Sequence, residues 1–174
     1  MSGQSTPAVH SHPADAYAPV FVGETRARLE KLFGSYPTKQ GCLLPALWMV
    51  QEARGWIPEE GINEVAAVLE LTPAYVKGVV TFYTMYHTHP VGRHFIQVCT
   101  TSPCNICGAE DVVKALLQAT ACGELGATSP DGRFTVIEVE CLGACGFPTP
   151  ILVDDDFIEN VTPEKVKGIV QRYE

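Results

Sequence analysis

Two cysteine pairs constrain this chain more than any other feature: Cys99-x4-Cys104 and Cys141-x3-Cys145. Each pair begins where an apolar run stops. Phe95-Ile96-Gln97-Val98 leads into Cys99, and the run from Phe134 to Glu140 leads into Cys141. Both runs read as strands. Adjacent strands lie about 4.8 Å apart. If these two are neighbours in one sheet, the loops at their C-terminal ends bring four thiols into one small volume.

The segments around the pairs give the rest of that layer. Val112, Val113, Leu116 and Leu117 fall on a helix from about Gly108 to Thr120. Ser129-Pro130-Asp131-Gly132 is a turn. Pro150 to Val153 reads as a third strand. Asp154-Asp155-Asp156 turns into a fourth at Phe157-Ile158. Thr162 caps a last helix with Pro163 at its first position and Val166, Ile169 and Val170 inward. The order β-α-β-β-β-α predicts a thioredoxin-like sheet whose first two strands are joined by a helical crossover.

Upstream the period is helical. A first helix starts near Val20 or Phe21 and stops at Gly34, with Leu29, Leu32 and Phe33 on one side. A second runs from about Cys42 to Arg54, with Leu44, Leu47, Trp48 and Gln51 as its inner face, and ends at Gly55. A third opens at Pro58 and buries Ile62, Val65, Ala66 and Leu69. The fourth has Thr72 as N-cap and Pro73 at its first position, with Val76, Val79, Val80 and Tyr83 inward. Residues 1–19, rich in Ser, Pro, Ala and His, read as a disordered tail, so that His10 and His12 are solvated rather than metal ligands. The expected fold class is α+β or α/β: a four-helix bundle over residues 20–90, then a thioredoxin-like domain over residues 91–174.

Composition narrows the function. The formal charge is −8, which disfavours a phosphate-backbone binder or an anionic membrane surface. No apolar run approaches the ~20 residues of a membrane span. Met1 to Val20 contains neither Lys nor Arg and no apolar core, so it reads as no signal or transit peptide, and the expected compartment is the cytosol. Seven cysteines in such a chain point to metal, cluster or redox chemistry rather than to a disulfide framework.

Four readings share these residues. Four thiolates suit a 2Fe–2S cluster, and Gly108, Gly143 and Gly146 suit a loop wrapped closely around sulfide. Cys99-x4-Cys104-x2-Cys107 with Cys141 matches the plant-ferredoxin spacing, which leaves Cys145 idle. Cys104-Asn-Ile-Cys107 is a C-x-x-C after a strand, as in a thiol–disulfide exchanger. Structural zinc is the fourth, although neither pair has the C-x2-C of zinc knuckles. The remaining candidates have plainer readings. Cys42 and Cys122 are small buried residues, and Cys107 is structural, within reach of the site. His87, His89 and His94 are surface or partner contacts. Phe82, Tyr83 and Tyr86 are packing. No Gly-rich phosphate loop follows a strand, so no nucleotide site is expected.

Longer stretches carry a resemblance. Phe82-Tyr83-Thr84-Met85-Tyr86, Pro90-Val91-Gly92, Ile96 to Cys104, Ser129 to Thr135 and Val139-Glu140-Cys141-Leu142-Gly143-Ala144-Cys145 are similar to the 24 kDa-type subunit of NADH:quinone oxidoreductase (respiratory complex I), within the thioredoxin-like 2Fe–2S ferredoxins. Leu43 to Leu47 and Gln51 to Ile57 fit the helical region of that family. The likeness runs from about Phe21 to Tyr173. It extends to the related subunits of NAD-dependent formate dehydrogenases and hydrogenases, which are the alternative assignment.

The resemblance implies one 2Fe–2S cluster held by Cys99, Cys104, Cys141 and Cys145, with no ligand at Cys107. It implies a subunit of an oxidoreductase with no complete active site of its own. FMN and the NADH site belong to a larger partner subunit, other peripheral-arm subunits are further partners, and the assembly sits on the cytoplasmic face of a membrane without this chain entering it. Nucleic acid is not a partner. The helical region, which carries no chemistry, is the expected docking surface. One departure concerns the loop under the cluster: where the family commonly has proline four residues after the last ligand, this chain has Thr149. An oxidised two-iron, two-sulfide core is doubly positive, and four thiolates leave it doubly negative before an electron is added. Glu138 and Glu140 beside Cys141 disfavour that added charge, which predicts a low-potential one-electron centre.

Overall fold

The protein is described by a computed structural model covering residues 17–173. Most of the expected tail, with His10 and His12, lies outside the described residues. Tyr17 donates its hydroxyl hydrogen to Glu64. The same carboxylate accepts the N–H groups of Val20 at 3.0 Å and Phe21 at 2.8 Å. The chain forms two compact units, dividing after Val80.

The first unit contains α1 (Gly23–Phe33), a 3₁₀ turn (Lys39–Cys42), α2 (Leu43–Arg54), α3 (Glu59–Leu69) and most of α4 (Pro73–Phe82). Local chemistry sets the ends. Gly55 closes α2 in the left-handed region at φ 79°, which costs glycine nothing. Glu59 and Glu60 sit at the positive N-terminal end of α3. Ile62, Val65, Ala66 and Leu69 are its buried face, at helical spacing. The buried face of α2 differs from the expected one. Leu47 and Gln51 are buried, but Leu44 and Trp48 are 41% and 40% exposed. Leu43, Ala46, Met49 and Val50 are buried instead. Apolar residues surround most of this helix, so periodicity alone does not choose a side. Gly61 of α3 does: a β-carbon there would come within 2.9 Å of Val50 Cγ1.

The second unit is a four-stranded sheet with helices. Its elements are β1 (His94–Cys99), α5 (Ser102–Ile106), α6 (Ala109–Thr120), β2 (Phe134–Val139), β3 (Ile151–Val153), β4 (Asp156–Ile158) and α7 (Pro163–Val170), followed by a 3₁₀ turn (Gln171–Tyr173). The sheet order is β2-β1-β3-β4. β1 and β2 run parallel from His94↔Phe134 to Cys99↔Val139, while β3 is antiparallel to β1 and β4 to β3. A parallel neighbour requires a crossover, and α6 lies in it. Ile96, Val98, Phe134 and Ile151 of the sheet pack into one buried core with Leu116 of α6 and Val166 of α7.

Two features fix where β2 enters. Gly92 donates its N–H to Thr135 Oγ1 at 2.8 Å. Its backbone passes so close to β2 that a β-carbon would meet the Phe134 backbone at 2.6–2.8 Å. In the preceding turn the Asp131 carboxylate accepts the Ser129 hydroxyl at 2.6 Å, the Arg133 Nε–H at 2.6 Å and the Arg133 backbone N–H at 3.0 Å. These bonds, the Ser129 one foremost, hold its carboxyl well below the usual carboxylate range. Among the described residues no single helix is long and apolar enough to cross a membrane.

Candidate metal centre

Parallel pairing puts the C-terminal ends of β1 and β2 side by side, which is the condition the cysteine pairs required. β1 is held there from both flanks. Thr100 donates its N–H to the Val139 carbonyl at the end of β2, and Cys99 donates its own to the Pro150 carbonyl just before β3, both at 3.3 Å.

Cys99 is the last residue of β1, and Cys104 lies inside α5. Both are buried, with 2% and 1% of their surface exposed. Their sulfurs stand 3.4 Å apart, with Cys104 donating to Cys99. Two thiolates on one tetrahedral metal with bonds of about 2.3 Å are about 3.8 Å apart. The pair therefore fits one iron with a small adjustment. Cys141 and Cys145 are exposed in the loop after β2. Gly143 has φ 79° in that loop, and its N–H donates to Cys141 Sγ at 3.3 Å. Among the described residues no three His, Cys, Asp or Glu side chains converge as a single-ion site would need. The arrangement is a buried pair and an exposed loop pair.

Donors gather at Cys99. Burial works to raise its thiol pKa, but the backbone N–H groups of Leu142 and Thr101, the Cys104 thiol and the Thr101 side chain together outweigh it and lower the value. Leu142 thus joins the two loops, because it follows Cys141 in sequence and serves Cys99 in space. Cys104 goes the other way. Burial first, then its hydrogen bond to Cys99 and the nearby charges of Cys145 and Cys107, pushes it up to about 12. A thiol exchanger of the C-x-x-C type attacks with an accessible, low-pKa thiolate. Cys104, buried and raised, is unsuited to that role, although Cys107 is exposed.

Sequence reasoning missed two parts of this site. One is α5 as a helix of its own, since the C-x-x-C motif reads only as the start of a helix after the strand; its signal was Ser102-Pro103. The other is Thr101, whose hydroxyl lies 3.7 Å from Cys99 Sγ. Thr149 is buried, its Oγ1 has no hydrogen-bond partner among the described residues, and its carbonyl accepts the Val161 N–H at 3.0 Å. The remaining candidates have other partners. Cys42 is buried, and Cys122 is buried with its thiol donating to the Phe134 carbonyl at 3.4 Å. His87 stacks on Phe95 with ring centres 4.3 Å apart, and His94 Nδ1 bonds Asp154 at 2.7 Å.

Comparison with known proteins places this arrangement. Residues 29–174 match the family model of the thioredoxin-like [2Fe-2S] ferredoxin. A subunit of the NADH-quinone oxidoreductase of Rickettsia bellii is 38% identical over 146 residues, 82% of this chain and 87% of that protein. NADH-quinone oxidoreductase subunit 2 of Thermus thermophilus is 36% identical over 153 residues, 86% of this chain and 84% of that one. Among solved structures, the NAD+-reducing [NiFe]-hydrogenase in its air-oxidized state superposes with a TM-score of 0.63 at 20% identity, over 76% of this chain and 22% of that one. That likeness is one of fold. A family model that spans most of the sequence, and relatives more than a third identical over most of their own length, establish that the chain belongs to the thioredoxin-like [2Fe-2S] ferredoxin family.

Proposed function

We propose that this chain is the electron-transfer subunit of the NADH dehydrogenase module of an NADH:quinone oxidoreductase. It holds one low-potential 2Fe–2S cluster on Cys99, Cys104, Cys141 and Cys145. The observation that carries the reading is the parallel β1/β2 pair, which ends at two adjacent cysteine loops with the Cys99 and Cys104 sulfurs 3.4 Å apart. The relatives named as subunits of NADH-quinone oxidoreductase support the assembly. When bound, such a cluster carries one electron at a time. Cys99 and Cys104 hold one side of it inside the protein, and Cys141 and Cys145 hold the other at the surface. The N–H groups of Gly143 and Leu142 offset the added negative charge.

A hydride delivers two electrons, so a flavin must accept them first. In this reading the FMN and the NADH site lie on a larger partner subunit. Ile106 and Phe147, 87% and 55% exposed and next in sequence to the cysteine loops, suit an apolar contact with that partner. The helical first unit, which carries no chemistry, is the main docking surface in this reading, and the assembly sits on the cytoplasmic face of the membrane.

The test is to express the chain anaerobically, quantify iron, acid-labile sulfide and zinc, and record EPR after dithionite reduction. The expected result is about two irons and two sulfides per chain with a rhombic spin-half signal. Zinc in their place overturns the reading.

A further inference from the structure

Thr101 occupies the N-cap position of α5, yet its hydroxyl bonds none of the free N–H groups of that helix. A threonine at an N-cap ordinarily does so. Its Oγ1 instead meets Cys99 Sγ at 3.7 Å. We propose that Thr101 sets the reduction potential of the cluster by donating its hydroxyl hydrogen to the Cys99 sulfur. The proposal rests on Cys99 being an iron ligand.

The chemistry of the contacts at Cys99 leads there. As a free thiol, Cys99 gives its own proton to Thr101 Oγ1 at 3.7 Å or to the Glu140 carbonyl at 3.8 Å. A thiolate bound to iron has no proton to give. The Glu140 carbonyl can only accept, so it offers the thiolate nothing. A hydroxyl both donates and accepts, and a turn about its C–O bond reverses the Thr101 contact without moving a heavy atom. Backbone N–H groups of Leu142 and Thr101 also serve this sulfur. Among the side chains there, the Thr101 hydroxyl is a donor that a substitution can remove without disturbing the backbone or another thiol. Reduction adds one electron to the cluster and makes or breaks no bond to the protein. A hydrogen bond to a thiolate ligand favours the more negative state, so the hydroxyl raises the potential.

The test uses the full chain loaded with iron and sulfide, as wild type, Thr101→Val and Thr101→Ser. Val keeps the branched shape and loses the donor, while Ser keeps the donor. Midpoint potentials come from EPR-monitored titration. The expected result is a roughly tenfold smaller reduction equilibrium constant for Val, about 59 mV for one electron, with Ser close to wild type. The deuterium shift of the Fe–S(Cys) vibration should shrink in Val and persist in Ser. A loaded Val variant with the wild-type potential overturns the proposal, as does a Ser variant that falls as far as Val. If Val does not load, Thr101→Ala against Ser carries the same comparison. A wild-type chain that binds no iron and sulfide overturns the ligand assignment and this proposal with it.

Discussion

The sulfurs of Cys99 and Cys104 stand 3.4 Å apart, although one ends a strand and the other lies inside a helix. Four residues of sequence separate them, and the turn of chain through Thr101 and Ser102 folds the helix back on the strand end. The proposed ligand set adds Cys141 and Cys145 of the loop after β2 to this pair and leaves Cys42, Cys107 and Cys122 outside, a division that the family resemblance implies.

Substitution of the four proposed ligands tests the division. Cys99→Ser, Cys104→Ser, Cys141→Ser and Cys145→Ser should each lose most of the bound iron and the brown colour. Cys107→Ser should keep both, because Cys107 is exposed at the end of α5 and outside the set. Iron and sulfide assays with visible spectra check this. Loss of the cluster in Cys107→Ser, with Cys145→Ser unaffected, would favour the plant-ferredoxin spacing.

Thr149→Val should stabilise the cluster-free chain. The Thr149 hydroxyl is buried and has no hydrogen-bond partner among the described residues. Removing an unpaired buried group of the same shape recovers its desolvation cost, about 1 kcal/mol or somewhat more. Urea unfolding should show a higher midpoint with an unchanged slope. An unchanged or lower midpoint would show that the hydroxyl is satisfied.

Gly92→Ala should destabilise the second unit. The new methyl would meet backbone atoms of Phe134 at 2.6–2.8 Å, and backbone cannot turn aside as a flexible side chain can. Overpacking costs typically about 1–3 kcal/mol. Circular dichroism during thermal unfolding reads the loss.

Asp131 should give the chain an acid-sensitive component of stability. Its carboxyl pKa is depressed in the folded state by the Ser129 and Arg133 bonds. The contribution is therefore full above the unfolded value of about 3.9 and is lost as pH falls through the lower folded value. Wild type should exceed Asp131→Asn by a constant margin from pH 5 to 8, and the margin should shrink below about pH 4. A margin independent of pH would show that the charge contributes nothing.

Much of this was legible in the sequence because particular residues carry local instructions. Thr72-Pro73 and Thr162-Pro163 mark the starts of α4 and α7, and Gly55 marks the end of α2, as the structure has them. Strands leading into Cys99 and Cys141 followed from apolar patterning, although the structure ends them at Cys99 and Val139, one residue later and one residue earlier than the pattern suggests, and their adjacency rested on a helical crossover between them. What escaped was non-local or too short. α5 spans five residues and shows no period. The inner face of α2 depends on the Gly61 backbone of another helix. The contact of Thr101 with Cys99 depends on a hydroxyl turned away from its own helix, which no spacing rule encodes.

The central place of β1 has a further consequence. Electron transfer slows when the donor and acceptor must rearrange, so a good carrier is one whose ligands barely shift between charge states. β1 has β2 on one side and β3 on the other, and the N–H of Cys99 is tied across to Pro150. With Cys99 as an iron ligand, one of the four proposed protein ligands is mounted on an interior strand of the sheet. In the proposed centre that mounting would keep the reorganisation energy of the redox step small, because the scaffold is set before the electron arrives.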